Sequence, residues 1–304
     1  MIPTPVTLVS GFLGSGKTTL LNRTLGGTSG RRLGVLVNEF GTVGVDGALL
    51  RGRGGDILEL AGGCVCCKVG DDLRQATLDL LDYARPAQLL LETSGVAEPA
   101  HVLEQLEGLA EVTVAGLVCT VDVGALGTHL GARPEVARQI HAADRLLLTK
   151  LDTCDAAQLA SAHDQLDELG ARAERAAFPP GRDDALLAGW VLEARPRGGS
   201  APCHHAHAGG GQLQAVAVEL PGPLLEAPLR RVLEDLGPRV YRVKGFLRLL
   251  GQEGACLIEL AGGRIGIRPH SPQGEVALGT LVVIGEDLDE AALRRRLSAC
   301  GVTG

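Results

Sequence analysis

Short apolar runs alternate with helical periodicity through the first two thirds of this 304-residue chain. Val6–Val9, Leu33–Asn38, Leu89–Leu91, Val112–Val121 and Leu146–Leu148 read as buried strands, because each is a compact apolar run rich in Val and Leu. Between them, Thr18–Leu25, Asp71–Tyr83, Pro99–Leu109, Glu135–Ala142 and Ala156–Leu169 repeat apolar residues at three and four positions, the spacing of one helix face. Strand and helix in alternation predict an α/β domain: a mostly parallel sheet with helices on both faces. From Arg195 to Gly211 the chain reads RPRGGSAPCHHAHAGGG, a Gly/Pro/Ser-rich stretch without periodicity, as expected of a linker. Beyond it, strands are expected near Ala215–Glu219, Val240–Leu249, Ala255–Leu260, Arg264–Ile267 and Thr280–Ile284, with helices near Leu224–Leu236 and Asp289–Ala299. The expected organisation is therefore a nucleotide-type α/β domain over 1–194, a linker over 195–211 and a smaller α+β domain over 212–304. No fixed-period repeat is visible.

Composition narrows the function classes. Hydrophobic residues at 45% and charged residues at 21% describe a globular chain able to bury two cores. A net charge of −7 and only 2% aromatic residues argue against a nucleic-acid partner, which needs a basic stripe and stacking platforms. No apolar stretch reaches the roughly 18 residues of a membrane span, and no basic segment precedes the first apolar run, so no membrane partner is expected and the cytoplasm is the expected location. Eight cysteines, three of them within four positions, suit thiolate chemistry in a reducing compartment better than a disulfide framework. Only four of the 29 basic residues are lysine: Lys17, Lys68, Lys150 and Lys244. In so arginine-rich a background each surviving lysine is a candidate for a site that needs a compact ammonium.

Gly11-Phe12-Leu13-Gly14-Ser15-Gly16-Lys17-Thr18 matches GxxxxGK[ST], between an expected strand and an expected helix. Such a loop turns its N–H groups toward phosphate and is backed by a helix N-terminus. Gly14, Ser15, Gly16, Lys17, Thr18 and Thr19 are the expected phosphate ligands, with Lys17 on the β/γ-phosphates and the Thr18 hydroxyl on Mg²⁺. Glu92 ends a buried apolar run and supplies a second Mg²⁺-side carboxylate, able to hold or orient water. Gly95, three residues later, is placed to sense a γ-phosphate through its N–H. At Thr149-Lys150-Leu151-Asp152 a carboxylate follows a lysine by two residues at a strand end, as in loops that read guanine. Asp152 can accept from guanine N1 and N2 together, a donor pair adenine lacks. Thr149 occupies the position where an asparagine is usual, so a weaker brace of the loop is expected.

Cys64-Val65-Cys66-Cys67 is the second unusual feature. Adjacent cysteines on a strand point to opposite faces, so convergence of all three on one ion requires a turn, which Gly62 and Gly63 permit. Three thiolates suit Zn²⁺ or another borderline-soft ion and leave one coordination position for exchange. Lys68 beside them can lower the thiol pKa values. A redox pair or unreactive buried cysteines are the alternative readings. Cys119, Cys154, Cys256 and Cys300 stand alone and read as core or incidental residues. The tract Cys203, His204, His205 and His207 is either a weak metal-relay site or a solvated spacer.

In combination these motifs resemble the CobW-type family of P-loop GTPases. The resemblance runs through GFLGSGKTTLLN from Gly11, NEFG from Asn38, Val45-Asp46-Gly47, GCVCC from Gly63, ETSGVAEP from Glu92, TKLD from Thr149, RVKGFLRL from Arg242 and LVVIGEDLD from Leu281. It implies GTP and Mg²⁺ in the first domain, held by Lys17, Thr18 and Glu92 with Asp152 on the base. It also implies a divalent metal, zinc first and cobalt second, at Cys64, Cys66 and Cys67, and a C-terminal domain that meets a client metalloprotein. Val37 stands where some relatives carry an acid, so no carboxylate ligand is expected there.

The expected activity is slow GTP hydrolysis, with Lys17 and Glu92 as the catalytic pair, since neither an arginine finger nor a water-positioning glutamine stands out. The expected function is nucleotide-dependent metal delivery. A passive metal buffer and a P-loop small-molecule kinase are the alternatives, and a homo-oligomer is compatible with the sequence.

Overall fold

The computed structural model describes residues 2–28, 31–38, 56–60, 70–179, 183–195, 213–270 and 278–301. They fall into two compact units.

The first unit is built on a seven-stranded sheet in the order β3-β2-β4-β1-β5-β6-β7. Its strands are β1 (Thr4–Ser10), β2 (Leu33–Asn38), β3 (Asp56–Leu60), β4 (Gln88–Glu92), β5 (Val112–Asp122), β6 (Arg145–Thr149) and β7 (Glu174–Ala177). Every pairing is parallel. The intervening helices are α1 (Lys17–Gly27), α2 (Gly70–Ala84), α3 (Pro99–Glu107), α4 (Leu126–Ala132), α5 (Pro134–Ala142), α6 (Ala156–Glu168) and α7 (Asp184–Leu192). Burial on both faces explains the unbroken apolar runs, as parallel sheets require. On one face Val9, Val35, Val37, Leu90, Val118 and Leu147 pack with Leu20, Leu21 and Leu25 of α1 and Leu187, Val191 and Leu192 of α7. Alternate residues Leu8, Leu36, Leu89, Leu91, Leu117 and Leu146 point to the other face and are equally buried.

The expected α/β class with a parallel sheet is what the structure has. It adds β3, α4, β7 and α7, for physical reasons that differ. Asp184–Leu192 (DALLAGWVL) is apolar nearly all round, so it shows no stripe. Glu174–Ala177 (ERAA) is a short, half-exposed strand at the sheet edge with no β-branched residue. Leu126–Ala132 is only seven residues long and carries two glycines.

The second unit is a five-stranded antiparallel sheet in the order β11-β10-β9-β12-β8. It comprises β8 (Leu213–Glu219), β9 (Val240–Leu247), β10 (Ala255–Ala261), β11 (Arg264–His270) and β12 (Thr280–Glu286), with helices α8 (Glu226–Glu234) and α9 (Glu290–Ser298). One sheet face contributes Val216, Val218, Val243, Leu247, Ile258 and Val283 to a core with Leu229, Leu233, Leu293 and Leu297 from the helices. Burying these apolar side chains is worth about 1.5–3 kcal/mol each. The linker expected over 195–211 lies outside the described residues apart from Arg195. Among the described residues no helix is long and apolar enough to cross a membrane.

Candidate nucleotide site

The loop between β1 and α1 is held by the strands beneath it. Gly11 adopts φ 135°, and a Cβ there would lie 2.3 Å from Thr120 Oγ1 and 2.5 Å from the Thr120 carbonyl oxygen, so only glycine fits. Gly14 and Gly16 also take positive φ, and Gly16 caps the start of α1. The Thr120 hydroxyl donates to the Ser10 carbonyl at 3.2 Å. Its single proton being used there, Ser15 Oγ donates to Thr120 Oγ1 at 2.6 Å. Thr149 Oγ1 lies 2.7 Å from the Ser15 carbonyl and 3.0 Å from that of Val121, donating toward both. The Thr149 hydroxyl thus ties the end of β6 directly to the phosphate loop.

Lys17 is only 4% exposed and its ammonium donates to the carbonyls of Gly11 at 2.8 Å and Phe12 at 3.3 Å. Thr18 Oγ1 donates to Glu92 Oε1 at 3.5 Å. Glu92 is itself buried, at the C-terminal end of β4 beside β1. A hydroxyl and a carboxylate are hard oxygen donors of the kind Mg²⁺ takes, so this pair fits that ion. Thr19, expected among the phosphate ligands, is exposed on the first turn of α1.

The segment after β4 closes over the same loop. Thr93 N–H donates to the Val9 carbonyl at 2.9 Å, and Ala97 N–H to the Ser94 carbonyl at 3.0 Å. A Cβ at Gly95 would meet Leu13 N at 2.8 Å and Leu13 Cα at 2.9 Å. Gly95 thus lies flat against the phosphate-loop backbone, a close approach that no larger residue can make.

The third side of the site is the β6 end. Lys150 adopts φ 59° and its ammonium pairs with the buried carboxylate of Asp122 at 2.7 Å. Asp122 also accepts from Gly124 N–H at 3.2 Å. Asp152 sits in the short turn Leu151–Thr153 with its side chain exposed. His129 of α4 packs on the Phe12 ring with centroids 4.7 Å apart. Burial pushes the His129 pKa down, with Asp122 opposing and Lys150 and Arg133 adding to the effect. Cys119, beneath the loop, has its thiol pushed up to about 12 by burial, against the pull of Lys17. It is a core thiol and no nucleophile.

Reading by motif brought Lys17, Thr18, Glu92, Gly95 and Thr149 to one place, and the structure joins them by the contacts above. It missed Thr120, Asp122 and Gln139, which sit in ordinary strand and helix patterns and are distinguished only by polar burial. Cys64, Cys66 and Cys67 lie outside the described residues, as do Cys203, His204, His205 and His207. Among the described residues no group of three metal-ligating side chains occurs. Cys256 and Cys300 are buried, and Cys154 is partly exposed.

Residues 5–176 match the family model described as CobW/HypB/UreG, nucleotide-binding domain. Residues 213–301 match the cobalamin synthesis protein cobW C-terminal domain. The chain is 31% identical to the zinc chaperone CobW of a Sinorhizobium species, over 97% of this chain and 96% of that protein. It is likewise 31% identical to the zinc chaperone YjiA of Escherichia coli K12, over 97% of this chain and 98% of that one. The solved Zn(II)-bound YjiA GTPase from E. coli aligns over 99% of this chain and 100% of its own, at 23% identity and a TM-score of 0.43.

Proposed function

Because the chain belongs to the CobW family of P-loop GTPases and is a GTPase, we propose that it is a metallochaperone that couples GTP hydrolysis to delivery of zinc to a client metalloprotein. The observation that carries the nucleotide half of this reading is the contact of the Glu92–Gly95 segment with the phosphate loop: carboxylate to Thr18 hydroxyl, and Gly95 against Leu13.

In this reading the N–H groups of Gly14, Ser15, Gly16, Lys17, Thr18 and Thr19 cradle the phosphates at the start of α1. The Lys17 ammonium leaves the Gly11 and Phe12 carbonyls for the β/γ-phosphate oxygens and stabilises charge that builds there in the transition state. Thr18 and Glu92 would hold Mg²⁺, which would supply neutralisation of phosphate charge. Glu92 also orients the attacking water. Asp152 accepts from guanine N1 and N2, while Lys150, fixed by Asp122, and Thr149 frame the base loop.

The metal is cargo, bound by Cys64, Cys66 and Cys67 as thiolates, with cobalt as the second candidate ion. GTP holds the cysteines in a converged arrangement and hydrolysis loosens it. Reciprocity follows: if GTP tightens metal binding by a coupling of roughly 1–3 kcal/mol, the metal tightens GTP binding by the same factor.

The test is a competition titration of Zn²⁺ and Co²⁺ against the full chain loaded with GDP or a non-hydrolysable GTP analogue, repeated on C64A/C66A/C67A. Tighter metal binding in the GTP form, lost in the triple variant, is the expected result. Equal metal affinity in the two nucleotide forms eliminates the delivery model.

A further inference from the structure

Helix α5 carries two consecutive polar side chains that grip the segment after β4. Gln139 is 1% exposed, and its Nε2 donates to the carbonyls of Gly95 and Ala97, each at 3.1 Å. The neighbouring Arg138 pairs with Glu98 at 3.4 Å. Gln139 spends both amide protons on this one turn. Its Oε1 is buried without a hydrogen-bond partner among the described residues. The amide orientation is thereby fixed, since exchanging N and O would set a carbonyl oxygen against two others. A buried carboxamide with half of its capacity unmet is costly for stability alone.

We infer that Gln139 is a positioning residue for GTP hydrolysis. Its two hydrogen bonds set the peptide planes after Gly95 and Ala97, and so hold the Ser94–Ala97 turn against the phosphate loop at Leu13. Three residues upstream of Gly95, on the same tethered segment, stands Glu92, the carboxylate that faces Thr18. Loss of the grip lets the turn lift from Leu13 and moves the Glu92–Gly95 segment relative to the γ-phosphate position. The inference rests on the reading of Glu92 and Gly95 given above.

Three full-length variants test it: Gln139→Met keeps the length and removes the donors, Gln139→Glu keeps the shape and sets a carboxylate against the two carbonyls, and Glu92→Gln tests the underlying reading. Single-turnover GTP hydrolysis, GDP affinity and thermal midpoint are measured on each. For Q139M the expected result is a roughly 10- to 100-fold fall in kcat with GDP affinity unchanged, the signature of misplacement at the reacting end of the nucleotide. Q139E falls at least as far. Wild-type kcat in Q139M alongside an inactive E92Q overturns the role of Gln139 alone. Wild-type turnover in E92Q overturns the reading on which it rests. A Q139M that loses GDP affinity and hydrolysis in equal measure shows a merely structural residue and also overturns the inference. Should Q139M fail to fold, Arg138→Ala releases the second grip on the same turn. It is expected to lower kcat without changing GDP affinity, and wild-type kcat there refutes the latch.

Discussion

The hydroxyl of Thr149 lies 2.7 Å from the carbonyl oxygen of Ser15, joining the C-terminal end of β6 to the loop between β1 and α1. Thr149→Val preserves the shape and removes the donor, leaving the Ser15 and Val121 carbonyls one partner short. Net loss of such a bond costs about 1 kcal/mol of folding stability. Denaturant melts should show that loss, and a fluorescent-GDP titration should show weaker binding as well, because the loop between β1 and α1 loses its tie to β6. Equal affinity of variant and wild type would mean that the brace plays no part in nucleotide binding.

Gly95→Ala puts a methyl group 2.8 Å from Leu13 N, backbone that cannot step aside. The turn must move, and hydrolysis is expected to fall by at least about tenfold. Gly11→Ala meets Thr120 under the same loop and adds the strain of φ 135°, so it should act on the fold as well, by about 1–3 kcal/mol in denaturant melts. A variant pair with the opposite pattern, Gly95→Ala merely unstable and Gly11→Ala merely inactive, would contradict this assignment.

Asp122→Asn removes the partner of Lys150 from a pair in which the carboxylate is buried and the ammonium a quarter exposed. That exposure discounts the cost to about 1–2 kcal/mol, below that of a fully buried pair. Lys150 sits at φ 59° in this turn and its ion pair with Asp122 helps hold it, so the expected loss is larger for GTP than for inorganic phosphate analogues. Isothermal titration of both ligands separates the two effects.

His129 supplies a pH dependence. Its folded pKa lies below its usual value near 6.5 because burial disfavours the imidazolium. In the unfolded chain the ring takes up a proton at higher pH than in the folded one. Its contribution to stability is therefore full above about pH 6.5 and declines as pH falls toward the depressed folded value. Urea melts at pH 7 and pH 5.5 should show a smaller pH effect in His129→Gln than in the wild type. The same pH effect in both would assign the acid sensitivity to other groups.

Much of the nucleotide half was legible in advance because its chemistry is local. The phosphate loop, Glu92 and the Thr149–Asp152 segment each announce themselves within eight consecutive residues, and strands buried on both faces leave apolar runs that are hard to miss. Elements went unseen where the local signal is weak. Leu187 and Val191 belong to a helix too uniformly apolar to show a stripe, and Glu174–Ala177 is a strand stabilised by pairing with β6 rather than by propensity. Gln139 and Asp122 were illegible for another reason. Their meaning lies in partners 42 or 44 residues away for the first and 28 for the second, and spacing along one segment carries no information about these. The three-cysteine motif is equally local in the sequence, but its residues lie outside the described ones.

The seat of the Lys17 ammonium, on the Gly11 and Phe12 carbonyls, bears on how ligand would be held. In the proposed reading, arrival of a nucleotide would be an exchange, in which a cation already housed trades two amide oxygens for phosphoryl ones. The ammonium is already buried, so capture has little hydration to strip from it. The same two bonds tie the ammonium to the curve of the loop, so in that reading the cradle would not have to be refolded for each triphosphate.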